Sequence, residues 1–216
     1  MQVEIAMAII TFYNLKAGLQ WWSNNRWPAD MLNADYYDIY AERSSVGTGT
    51  WWTATLNRLG KWRAIRPKSK SYIQSRGQDR LSAIARWYSN VRGTSATEPC
   101  IADMEWEDVA PLFALAYGIK RDKSPVFASK MCHFMFPKLF LVLDNKATGI
   151  FEYEFCWRGL KDEWSRFTKK SGACSLVAQV IASGKAASAK PIHPDYPYET
   201  KIMELCLIGY NHRSFS

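Results

Sequence analysis

Apolar residues recur at helical spacing along most of this chain, and glycine or proline marks the breaks between runs. Ile5, Ile9, Phe12 and Leu15 fall in step and predict a helix over 3–20. A second helix is predicted from about Pro28, with proline and aspartate in its first turn and Met31, Tyr36, Tyr37 and Tyr40 following. G-T-G-T at 47–50 breaks the pattern before W-W-T-A-T-L-N-R-L-G, a short helix expected to end at Gly60. K-W-R-A-I-R-P-K-S-K-S-Y, 61–72, reads as a basic loop with aromatics, and 80–92 as an amphipathic helix ending at Gly93.

Residues 94–104 read as a connection. The helix W-E-D-V-A-P-L-F-A-L-A-Y follows, acidic in its first turn and with Gly118 past its end. Ser124 and Pro125 have the form of an N-cap and a first-turn proline, and Pro137 stops that helix. L-F-L-V-L, 139–143, is the clearest short strand candidate. Asp144 is expected to cap a helix running to about Trp157, with further helices over 160–170, 174–183 and 198–210. No internal repeat, low-complexity tract or long linker is visible. The expected class is all-α: one compact multi-helix domain over 1–216, divisible at most into halves at 1–93 and 105–216.

Composition narrows the function classes. A 48% hydrophobic content with 14% aromatics excludes a disordered chain. No apolar run approaches the roughly 20 residues that span a bilayer, and Glu4 interrupts an N-terminal stretch that lacks a basic leader, so this segment reads as folded structure. Five cysteines without a C-x-x-C and three scattered histidines point to reduced thiols in a cytoplasmic protein (prokaryotic cytosol or nucleoid). Neither a metal nor a cofactor is expected; the acidic run D-M-E-W-E-D at 103–108 is explained by a helix N-terminus. The net charge of +8 is concentrated: Arg43 to Arg92 holds eleven Lys or Arg against Asp79 alone. That is the footprint of a polyanion partner, or of a solvated basic face.

The candidate chemistry lies in S-P-V-F-A-S-K-M-C-H-F-M-F-P-K-L-F-L-V-L-D-N, 124–145. Phe127, Met131 and Phe134 share one helical face, and Lys130 and His133, three apart, share the neighbouring stripe. Desolvation beside those apolar groups would lower the lysine pKa and make it an amine nucleophile, while a carboxylate at Asp144 would pull it back. His133 is a candidate acid, base or DNA contact, or a satisfied core group. The plain alternative for the other two is a snorkelling Lys130 and an ordinary N-cap at Asp144.

Helix, turn, helix and an apolar stretch leading to an aspartate, Pro111 to Ile150, resembles the helix-hairpin-helix DNA glycosylase superfamily. The resemblance implies a helix-hairpin-helix-like unit, a Schiff-base lysine at Lys130 in A-S-K-M-C, and a carboxylate at Asp144 in L-V-L-D-N that stabilises the sugar cation. The turn I-K-R-D-K lacks the glycines usual in that family, so Lys120, Arg121 and Lys123 would hold a phosphate by charge.

Tryptophans among the basic residues suit an enzyme that flips a base and stacks it. Trp52 and Trp62 are expected to be the most exposed, one member of each W-W pair being buried. With Lys61, Arg63, Arg66, Lys68 and Lys70 they complete the expected DNA surface. The reading is a monomeric DNA base-excision glycosylase, with or without lyase activity, acting on a flipped base of double-stranded DNA in repair or in defence against foreign DNA. A non-catalytic helical nucleic-acid-binding module and a helical protein-interaction domain stand as alternatives.

Overall fold

The structure, a computed structural model, describes residues 8–25, 34–93, 97–149, 152–169, 173–187 and 191–212. Among them the regular elements are all helical: α1 (Phe12–Asn24), α2 (Ala34–Glu42), α3 (Gly49–Lys61), α4 (Lys70–Gln78), α5 (Leu81–Gly93), α6 (Trp106–Tyr117), α7 (Pro125–Met135), α8 (Asn145–Thr148), α9 (Tyr153–Thr168), α10 (Ala173–Ala187) and α11 (Tyr198–His212). The all-α class is as expected, and no helix among the described residues is long and apolar enough to cross a membrane.

Several boundaries differ for local reasons. Helix α1 starts at Phe12 because the Thr11 hydroxyl accepts the Asn14 N–H, and residues 8–11 are not helical. The stretch read as an open basic loop includes a 3-10 turn, Pro67–Ser69, that runs into α4. The helix capped by Asp144 lasts a single turn, because Gly149 takes a left-handed conformation (φ 69°), and α9 begins afresh at Tyr153. The expected start of the second helix, Pro28 to Met31, lies outside the described residues.

L-F-L-V-L forms no ladder, yet Leu139 to Leu143 are all buried. A buried extended backbone must satisfy its polar groups somewhere, and side chains from other elements do this. Trp157 Nε1 donates to Leu139 O (3.0 Å) and Tyr153 Oη to Leu141 O (2.8 Å). His133 bonds Phe140 O (2.6 Å), while Ser129 Oγ accepts Leu143 N–H (3.2 Å). Upstream, Thr200 Oγ1 donates to Pro137 O (2.7 Å) and Ile101 N–H to Lys138 O (2.9 Å). The segment is therefore a central rod clamped by α7, α9 and α11.

The first and last described helices pack together. A Cβ added at Gly18 would lie 1.9 Å from Leu205 O, and one at Gly209 1.9 Å from Asn14 O. These contacts run in opposite directions along the two helices, so α1 and α11 are antiparallel with their backbones nearly touching. The two sequence halves share one core, since Trp62 packs edge-on against Phe134 (4.9 Å) and the Arg58 guanidinium lies 5.3 Å from the same ring.

Candidate functional site

Ser124 Oγ accepts the Phe127 N–H and Pro125 occupies the first turn, which starts α7 as the sequence predicts. Phe127 through Met135 are all buried, so Lys130 has no path to snorkel along: it is 2% exposed. Its ammonium instead donates to the carbonyl of Trp62 (2.8 Å) and pairs with Asp144 Oδ2 at 3.4 Å. Asp144 is also an N-cap, because its Oδ1 accepts the Lys146 N–H (3.1 Å). Capping and ion pairing use different carboxylate oxygens. The carboxylate is 21% exposed, so the pair has one closed end and one partly open end. Asn211 braces this corner by donating Nδ2–H to Ala147 O (3.1 Å).

Burial holds the Lys130 ammonium below the ordinary lysine range, and the attraction of Asp144 opposes this without cancelling it. A second buried pair lies on α11, where Lys201 Nζ meets Glu204 Oε2 at 2.5 Å, with the ammonium 5.2 Å from the Trp22 ring. Burial raises the Glu204 carboxyl despite Lys201, and both members act electrostatically on Lys130. Sequence reasoning missed this pair. The signal was two opposite charges three apart within T-K-I-M-E-L-C-L-I, a spacing equally suited to a surface pair.

His133 occupies the satisfied core position. Phe140 O can only accept, so Nδ1 carries the proton and Nε2 accepts from Tyr36 Oη at 2.8 Å. Burial lowers its pKa to about 3, with Lys201 adding to the effect, so the ring is neutral. Being 1% exposed, it is not positioned at a DNA surface.

The tryptophan expectation needs correction. Trp52 is 1% and Trp62 5% exposed, and Trp51 is buried too, so neither predicted platform faces solvent and both members of the 51–52 pair are core. The cause is α4, absent from the sequence reading. It covers Trp52, which donates Nε1–H to Gln74 O (2.9 Å) and lies across Gly77, where a Cβ would come within 1.9 Å of the indole. Trp62 donates to Asp35 Oδ2 (2.6 Å) and packs on Phe134.

The predicted cations divide into two groups. Lys61 pairs with Asp35 and Lys70 bonds Asn57 Oδ1 (3.3 Å), so both serve neighbouring helices. Arg63, Arg66, Lys68, Lys120 and Arg121 converge on one cleft of about 730 Å3, although the two contributing segments, 63–73 and 120–126, lie far apart in the chain. Asp122 is the only carboxylate in its lining, and Tyr72, Ser124 and Val126 complete the wall that concerns the chemistry. Lys123 stands between two lining residues without lining the cleft itself. The cleft and the buried pair are linked through the chain: Trp62, whose carbonyl takes the Lys130 ammonium, precedes Arg63, and Val126 is one helical turn before Lys130.

Among the described residues, no group of three or more His, Cys, Asp or Glu side chains is placed to hold a metal ion. The described cysteines are free thiols, and burial pushes Cys156 and Cys206 up to about 12, which leaves them inert as nucleophiles at neutral pH. No protein-family model, no curated protein and no solved structure matches this chain.

Proposed function

We propose that the protein acts on DNA and that Lys130 and Asp144 break the bond between a base and its deoxyribose. The observation that carries this reading is a desolvated ammonium 3.4 Å from a partly open carboxylate, held by the carbonyl of Trp62, which is one residue along the chain from a cleft lined by five cations and one acid. In the reaction Lys130 passes a proton to Asp144, and its free amine attacks C1′ as the N-glycosidic bond breaks. The base leaves with the bonding electrons and takes a proton from solvent. While the bond lengthens, and until it takes the lysine proton, the Asp144 carboxylate offsets positive charge developing on the sugar. Transfer of a proton from nitrogen to the ring oxygen, which leaves C1′ with the C–O bonding electrons, then opens the sugar and yields the protonated Schiff base. The phosphates lie against the cleft cations, and the open end of the pair is where the sugar approaches. The resemblance of 111–150 to helix-hairpin-helix glycosylases supports the same assignment.

One observation favours a second reading, a binding module with a structural pair. Lys130 is 2% exposed and joins three segments, at Trp62, α7 and Asp144, so it also acts as a clip. Borohydride trapping on duplexes carrying damaged, modified or abasic nucleotides separates the two. A covalent complex lost in Lys130→Ala supports the glycosylase–lyase. Salt-sensitive binding with no trapped complex, and no abasic sites after alkali, supports the module.

A further inference from the structure

With Trp52 and Trp62 buried, a base that leaves its stack needs another platform. Tyr72 is the aromatic residue that lines the basic cleft, and its ring is half-buried. The Arg121 guanidinium lies over it, 4.8 Å from the centroid. Arg121 itself is exposed, so it can swing aside or rest on the far face of an inserted ring. Bases stack on aromatic rings and on guanidinium planes alike. Next to this slot, Lys120 pairs with Asp122 (3.2 Å), the single carboxylate of the lining, and Arg63, Arg66 and Lys68 add charge that this acid does not balance, so the cleft selects an anion. Its volume of about 730 Å3 lies within the usual range of small-ligand sites.

The backbone adds an independent sign. The described non-glycine residues with left-handed backbones are Arg63 (φ 56°) and Lys123 (φ 42°), one from each segment that builds the cleft. Such conformations are unfavourable for residues with a Cβ, and they concentrate where a ligand site dictates the backbone. Here they sit on opposite contributors to one wall.

We propose that this cleft binds an unpaired nucleotide, with its base between Tyr72 and Arg121 and its phosphate among Arg63, Arg66, Lys68 and Lys120. Intact duplex keeps its bases stacked inside and offers only phosphate, so the cleft favours a single strand, a frayed end or an extruded nucleotide. The proposal rests on the nucleic-acid reading above and makes its substrate class specific. It also moves base recognition from the tryptophans to Tyr72.

The test is fluorescence anisotropy at low salt with a labelled short oligothymidylate, the same length of duplex, and thymidine monophosphate as competitor. The wild-type protein is expected to bind the single strand more tightly than the duplex. Tyr72→Leu, which keeps an apolar filler, should weaken single-strand binding about tenfold while leaving duplex binding unchanged, and Tyr72→Phe should match wild type. Equal losses on strand and duplex, or no preference between them, would overturn the assignment. Displacement by the free nucleotide in a Tyr72-dependent way, with no binding of strand or duplex, would keep the pocket and remove the nucleic-acid reading. If none of the three binds, both are wrong. Thermal denaturation of each variant separates a lost contact from a lost fold.

Discussion

Replacing Asp144 by asparagine isolates the electrostatics of the buried pair. Asparagine keeps the oxygen that accepts the Lys146 N–H, so α8 retains its cap while Lys130 loses its counter-charge. Two unit charges 3.4 Å apart attract by about 5 kcal/mol at an effective dielectric of about 20. The carboxylate is 21% exposed, the ammonium keeps its bond to Trp62 O, and the carboxamide oxygen still accepts. These reduce the expected destabilisation at neutral pH to about 2–3 kcal/mol, below the full range for breaking a buried pair. The dependence on pH follows from burial lowering the Lys130 pKa. The unfolded chain binds the lysine proton more tightly, so stability rises with pH between the folded and unfolded pKa values and is flat below both. Removing Asp144 lowers the folded value further and extends that rise toward neutrality. The deficit of Asp144→Asn should therefore shrink as pH increases. Urea unfolding from about pH 6 to about pH 10 measures this. Lys130→Met in the same background should recover most of the loss, because no charge is then left buried. A deficit independent of pH, or one unrelieved by Lys130→Met, would refute the reasoning.

The remaining predictions concern core, backbone and surface. His133, neutral with its pKa lowered to about 3 by burial, contributes stability that is complete above about pH 6.5 and lost as pH falls toward 3, at up to about 1.4 kcal/mol per pH unit. Urea midpoints should show this slope flattened in His133→Gln, and the His133 ring signals should not titrate between about pH 5 and about pH 8 by NMR. Gly209→Ala drives a methyl against Asn14 O and should cost about 3 kcal/mol or more, whereas Gly159→Ala, with nothing within 4 Å, should gain about 0.5–1 kcal/mol; thermal melts compare them. For DNA binding, Arg66→Ala and Lys68→Ala should each lower the magnitude of the log K against log salt slope by about 1, and Lys61→Ala, whose lysine pairs with Asp35, by much less.

Much of this protein was legible along the chain because the signals are local. Ser124 and Gly118 act within one turn of themselves, so the start of α7 and the end of α6 followed from neighbouring residues, whereas the stop at Gly149 was passed over. The charge asymmetry was a matter of counting, and Lys130 and Asp144 stood out because each interrupts or ends an apolar run. That they approach to 3.4 Å depended on the path of Phe136 to Leu143, whose backbone is satisfied by side chains as distant as Trp157 and Thr200. Whether a tryptophan is a platform or core was likewise a property of what covers it, and α4 covers Trp52. Which lysines remain for a ligand was settled by acids from other elements: Asp35 takes Lys61, whereas Arg66 and Lys68 make no ion pair among the described residues. Sequence alone determined that the chain is helical and basic and where its unusual charges lie, since propensity, capping and charge act at short range. Burial, pairing and the joining of 63–73 to 120–126 in one cleft depend on contacts between residues far apart in the chain, and only the tertiary structure decided them.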